Sequence, residues 1–277
     1  MAKAIENHDI VFAEIMNDPV FTPQLKNQIS SVQKFQSKTE GFVDKVMQGV
    51  HTHAVLQGPP GLGKSYSVTQ ALRRAGKVEG QDYFVVKGHI TPMQLYLTLH
   101  HFRRPGQIVI LDDCDDVFTK DTGLEVLKAA CDQDYRRVVW NSASVPVVNG
   151  HSLTEFVFNG QIIVCTNMQL QSGRGGRRDR AAAAFLSRLT VWDLRLESRE
   201  RMYAQIFNMV VYSGYLDANP KTRLSVDQKR DLLKFVLTNL DEIQSLDLRM
   251  PQQIASEIVA NPDDWQGSAR HIVTRGV

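Results

Sequence analysis

HAVLQGPPGLGKSYSVTQA, residues 53–71, is the most informative stretch of this chain. Within it Gly58, Pro59, Pro60, Gly61, Leu62, Gly63, Lys64 and Ser65 match G-x-x-x-x-G-K-[ST] in full. The flanks fit the same reading. Ala54-Val55-Leu56 is a short apolar run ending in a Gly/Pro turn, as a strand feeding a phosphate loop should, and Ser65 to Arg73 has the pattern of a helix. Glycines let backbone N–H groups point inward at phosphate oxygens, and a helix N-terminus adds partial positive charge. Lys64 is placed to reach β- and γ-phosphates, and Ser65 to offer its hydroxyl to Mg²⁺. The plain alternative is a Gly-rich turn that matches by chance. Strand, loop and helix standing together weigh against it.

The next informative run is Gln107-Ile108-Val109-Ile110-Leu111-Asp112-Asp113. A continuous apolar stretch bounded by turn residues suits a strand buried on both faces of a parallel sheet. It ends in two carboxylates. In phosphate-loop enzymes one carboxylate at such a strand end holds the metal and another polar group orients the attacking water. Asp112 is therefore assigned to Mg²⁺ and Asp113 to water, against the alternative of two solvated loop acids. Asp115 and Asp116 read as helix-entry or surface charges. A second buried-strand pattern, Gln161 to Asn167 (QIIVCTN), ends in Thr166-Asn167. Asn167 at that end has an amide suited to the γ-phosphate or the attacking water.

GPPGLGKS, IVILDD and IIVCTN, in this order and spacing, resemble the AAA+ ATPases, and among them the compact, phage-type members. The resemblance covers about residues 45 to 270. It implies an α/β fold: a parallel sheet of order 5-1-4-3-2 sandwiched by helices, followed by a C-terminal helical lid. The candidate strands are 53–57, 82–86, 107–112, 161–166 and 189–195. It implies three parts, residues 1–50 as an N-terminal helical segment, 51–196 as the core and 197–277 as the lid. ATP and Mg²⁺ are the implied cofactors, and a homo-oligomer, a hexameric ring or spiral, the implied assembly. The sequence departs from the family at Asp113, where Glu is usual. The shorter side chain puts the hydrolysis rate in question and leaves nucleotide binding untouched.

Arginines cluster from 172 to 201, with no lysine among them. Ala181 to Arg188 reads as a helix ending before the strand 189–194. In the family an arginine at the end of such a helix reaches the neighbouring subunit's nucleotide, and Arg188 matches it. The alternative is a surface salt bridge. Ser172 to Arg180 (SGRGGRRDR) is too Gly-rich for a regular element. Its Arg174, Arg177, Arg178 and Arg180 are candidates for nucleic-acid phosphates, for the subunit interface, or for plain solvation. In the lid, Glu197–Tyr215, Ser225–Leu240 and Leu248–Val259 read as helices, with Ser198 and Ser225 as N-caps. The family carries an arginine at the start of the third lid helix that touches the γ-phosphate. Arg249 matches, and Arg270 is the fallback.

Elsewhere the signals are milder. Thr91 and Pro92 mark the start of a helix to Phe102, and residues 122–133 form an amphipathic helix. Arg136 to Asn159 has the makings of a β-hairpin, with Asn149-Gly150 as a tight-turn signal. In several AAA+ branches a hairpin here grips DNA; the alternative is a structural hairpin. Residues 1–50 look helical with a break near Asn17-Asp18-Pro19, either packing on the core or flanking the nucleotide base. His100 and His101 are adjacent and make a poor metal pair.

The 277 residues are 43% hydrophobic and 22% charged, with net charge +2. This is a globular profile that singles out no partner by overall charge. Cys114, Cys131 and Cys165 lack metal spacing and read as reduced thiols of a cytoplasmic protein. No run approaches membrane-spanning length, and the first residues lack the apolar core of a leader. Three functions remain open: an oligomeric ATPase on nucleic acid, a protein remodeller, and a slow nucleotide-dependent switch. Threading remodellers need an exposed aromatic in a channel loop, which the Lys87-Gly88-His89-Ile90 turn lacks.

Overall fold

A computed structural model describes residues 12–119, 121–142, 144–168, 184–217 and 219–274. After helix α1 (Pro23–Met47) come β1 (His53–Gln57), α2 (Lys64–Arg74), β2 (Tyr83–Lys87), α3 (Pro92–His101), β3 (Ile108–Asp112) and α4 (Asp121–Ala130). Four short strands follow: β4 (Arg137–Val139), β5 (Val147–Val148), β6 (His151–Ser152) and β7 (Glu155–Val157). Then come β8 (Gln161–Thr166), β9 (Thr190–Asp193) and helices α5 (Arg199–Val211), α6 (Val226–Thr238), α7 (Arg249–Ala260) and α8 (Gln266–Val273). The chain forms two compact units. One comprises Met1–Lys38, Pro60–Leu62 and Leu196–Val277, the other Thr39–Pro59 and Gly63–Arg195.

The second unit is built on a five-stranded sheet ordered β2-β3-β8-β1-β9. All its pairings are parallel. Numbering these five along the chain gives 5-1-4-3-2, the expected order. Every residue of the three central strands β1, β3 and β8 is buried, while β2 and β9 at the edges alternate or face outward. That is why the central strands read as unbroken apolar runs and β9 does not. The register sets Leu56, Cys165 and Asp112 level with one another. Gly58, Asn167 and Asp113 therefore emerge together at the edge where the strands end.

The expected hairpin is present. β4 pairs antiparallel with β7, and β5 with β6. Val148 faces His151, so Asn149-Gly150 is a two-residue turn with φ of 51° and 80°, the left-handed pair such a turn requires. Its base is anchored by rings: Tyr96 of α3 lies 5.1 Å from Trp140 and 4.9 Å from Phe156. Val147 and Val157 stand on its exposed side. All three cysteines are buried and free. No described helix is long and apolar enough to cross a membrane.

His53 opens β1 and is buried. The Ile162 N–H donates to its Nδ1 at 3.1 Å. Burial and the charge of Arg136 depress its pKa to about 3. The unfolded chain binds this proton near the ordinary imidazole value of 6.5, so between 6.5 and 3 it holds a proton the folded chain lacks. Stability should therefore fall as pH drops through that window. Urea midpoints at pH 7 and pH 5 should diverge less for His53→Asn than for the parent chain; equal divergence would remove His53 as a cause.

The first unit is helical. Tyr203 to Val211 of α5 are all buried, marking the helix the unit is built around. Ser198 caps α5, and Ser225 forms a capping box with Gln228 at the start of α6. The Arg199 guanidinium adds a second tie, donating to the carbonyls of Leu240 and Ile243. A further helix, α8, is short and buries Ala269 and Val273. It is held by the Gln244 N–H on the Val273 carbonyl (3.0 Å) and by Arg270 on Glu242 (2.6 Å).

Candidate active site

The site grows from the ends of three neighbouring strands. β1 delivers the loop Gly58–Gly63. Gly63 has φ 81° and caps α2 with no side-chain hydrogen bond, so the first-turn amides of α2 are presented to a ligand rather than to a capping residue. Lys64, the first residue of α2, is buried. Its ammonium donates to the Gly58 and Pro59 carbonyls, both at 2.8 Å, and to Asn167 Oδ1 at 2.7 Å. Burial pushes the Lys64 pKa below its ordinary value, while the charges of Asp113, Asp112 and Asp115 act in the opposite sense.

Ser65 donates its hydroxyl to Asp112 Oδ1. Two hard oxygen donors from separate segments thus meet at one point, the donor type that suits Mg²⁺. Asp112 itself is buried at the end of β3. Asp113 follows, exposed, with its backbone N–H on the Cys165 carbonyl at 3.0 Å. Asn167, just past β8, joins the two halves. Its Nδ2 donates to Asp113 Oδ1 at 2.8 Å while its Oδ1 accepts from Lys64. One amide links cation and carboxylate.

Asp113 has φ 53°, one of two non-glycine residues with positive φ among those described. Asp and Asn are enriched several-fold in this conformation over longer side chains. The backbone therefore gives a physical reason for Asp where the resembling family carries Glu. Asp113→Glu should cost up to about 1–2 kcal/mol of stability and should not raise ATP turnover. Thermal unfolding together with steady-state hydrolysis checks both, and a stable, faster variant would refute the explanation.

Two features escaped the sequence. Asp115 enters a short 3₁₀ helix, Asp115–Thr119, and is also tied to the sheet: it accepts from the Thr166 hydroxyl at 2.5 Å, and burial raises its pKa above the usual carboxylate value despite that bond. Asp116 pairs with His89 Nδ1 at 2.5 Å. In the helical unit, Asp247 accepts from the N–H groups of Arg249 (2.8 Å) and Met250 (3.3 Å), capping α7. The Leu248 N–H donates to the Gly61 carbonyl at 2.9 Å. A Cβ on Gly61 would lie 2.4 Å from Asp247 Cβ, and φ there is 75°, so only glycine fits. Pro60, Gly61 and Leu62 thus belong to the helical unit, one residue along from Arg249. Arg270 is instead paired with Glu242.

Arg188 is elsewhere. It precedes β9, whose Thr190 pairs with Ala54 at the start of β1 and whose Asp193 pairs with Gln57 at its end. The strand length puts it about 13 Å or more from the phosphate-loop edge. Its Nη1 donates to the Ala184 carbonyl at 2.7 Å, and Nη2 lies 3.7 Å from Asp132. Arg174, Arg177, Arg178 and Arg180 lie outside the described residues. Among the described residues no cluster of His, Cys, Asp and Glu could hold a metal ion by itself.

No protein-family model matches the chain. The sequence is 26% identical over 224 residues to an uncharacterized 36.7 kDa protein from the nrdC-mobD intergenic region of Enterobacteria phage T4, covering 80% of this chain and 68% of that protein. Among solved structures, RuvB of Thermotoga maritima, in an arginine-to-alanine variant, is similar with a TM-score of 0.49 and 12% identity, over 88% of this chain and 68% of that one.

Proposed function

We propose that this chain is an AAA+ ATPase that binds ATP with Mg²⁺ and hydrolyses its terminal phosphoanhydride as an oligomer acting on nucleic acid. The observation that carries this reading is the meeting of Lys64, Ser65, Asp112, Asp113 and Asn167 at one sheet edge. Gly58, Pro59, Pro60, Gly61, Leu62 and Gly63 would wrap the phosphates with backbone N–H groups, and Lys64 would exchange carbonyl partners for phosphate oxygens. Ser65 and Asp112 would hold Mg²⁺, which when bound neutralises phosphate charge. Asp113 would orient the attacking water and take its proton, with Asn167 sensing the γ-phosphate. Arg249 would read the same phosphate from the start of α7. Arg188 stands too far from its own loop, which supports its service to the nucleotide of a second copy.

Nucleic acid as client is supported by the hairpin within 136–159 and by the four arginines of 174–180. The test is steady-state ATP hydrolysis at low salt with and without single- and double-stranded DNA, with Lys64→Ala as control. Stimulation by DNA, lost on charge reversal at Arg177 and Arg178, is expected; hydrolysis indifferent to DNA would point to a protein client. One observation favours a slower device, a nucleotide-dependent switch: Asp113 is held by Asn167 and sits on a left-handed backbone. A turnover rate typical of motors would eliminate the switch.

A further inference from the structure

A cavity of about 310 Å³ opens at the other end of the sheet, where the strands begin. Arg136, Arg188, His51, His53, Asp132 and Thr190 line it. Two guanidiniums face one carboxylate, an excess of one positive charge before either imidazole is counted. The carboxylate is already engaged: Asp132 Oδ1 accepts the N–H groups of Asp134 (3.1 Å) and Tyr135 (3.2 Å), and its other oxygen lies beside Arg188. Arg136 uses only its Nε on the Asp132 carbonyl, at 3.2 Å, among the hydrogen bonds described. The charges of both arginines are felt at Cys131, in the same wall.

His53 supplies an independent sign. Its Nδ1 accepts from Ile162, so the neutral ring carries its proton on Nε2. That Nε2 is buried and has no partner among the described residues. A buried donor without an acceptor is costly, and here it stands in the wall of a cavity that also holds two guanidiniums.

We infer that this cavity binds a phosphoryl anion through Arg136, Arg188 and the His53 Nε2–H. The shared chemistry has two sources, a free phosphate or pyrophosphate and the terminal phosphates of nucleotide on a second copy. The second source rests on the function proposed above; the first does not.

Pyrophosphate titrated into Lys64→Ala, whose own phosphate loop is disabled, tests the site while the His53 imidazole is followed by NMR. The His53 Nε2–H signal should shift and saturate, and adding Arg136→Gln should weaken binding at least ten-fold with the fold intact by circular dichroism. An unmoved His53 signal, or equal affinity with and without Arg136, would overturn the inference. ATP turnover of Arg136→Gln in the otherwise unaltered chain then separates the sources. A fall at unchanged ATP affinity identifies nucleotide on a second copy, and retained turnover identifies a free anion. Loss of ATP binding by the parent chain would sink the proposed function and leave the pyrophosphate result standing.

Discussion

Lys64→Ala should abolish ATP-dependent stabilisation and lower ATP turnover by about 10³-fold or more, while leaving the unliganded chain as stable as the parent or slightly more so. The two halves of this expectation have one cause. The ammonium is buried, and its pKa is pushed down by that burial, so the empty site carries the cost of the charge. Three neutral oxygens, from Gly58, Pro59 and Asn167, partly offset it. Phosphate oxygens are anionic acceptors, and bonds to them are roughly twice as strong as neutral ones. The charge therefore stabilises the complex far more than the free chain. Differential scanning fluorimetry with and without Mg·ATP, beside steady-state hydrolysis, reads both halves. A variant that still gains thermal stability from ATP would remove Lys64 from the site. One that melts much lower without ligand would make it a structural residue.

The second large effect concerns Arg188. Arg188→Ala should reduce turnover by about 10³-fold, at the low end of what an arginine supplied to a phosphoryl transfer contributes, with ATP binding unchanged. The residue precedes β9 while the phosphate loop follows β1, and the two strands are parallel and in register. No side chain spans that length. An effect on hydrolysis would then have to act on the nucleotide of a second copy, as proposed. Mixing makes this decisive. Lys64→Ala and Arg188→Ala should each be inactive alone, yet their mixture should recover part of the activity, because intact loops then meet intact arginines. Failure to recover, in a mixture shown to co-assemble, would return Arg188 to the plainer role of an ion pair with Asp132.

The sheet was legible because its central strands are buried on both faces, which leaves an unbroken apolar run in the sequence. The loop was legible because Gly61 and Gly63 hold left-handed backbone that few other residues accept. Asp115 does enter a short 3₁₀ helix, Asp115–Thr119, but its tie to the sheet was not legible, because no local pattern announces it. Its partner Thr166 stands 51 residues away and meets it only once β3 and β8 are paired. Asp247 hid for the same reason: capping α7 is local, but its approach to Gly61 is tertiary. Helix α8 is short, and what fixes it are contacts with residues 242–244.

The amide of Asn167 has one donor end and one acceptor end, and each is spoken for, by Asp113 and by Lys64. If the site works as proposed, an empty chain would therefore withhold its phosphate-binding cation and its water-orienting carboxylate with a single side chain. Neither can be let go without disturbing the other, because rotating the amide to free one end moves both. Idle proton abstraction and loose phosphate capture would then be suppressed together in the resting chain. An anion strong enough to draw Lys64 away would unlock the carboxylate in the same movement, coupling readiness for chemistry to arrival of the group to be cleaved.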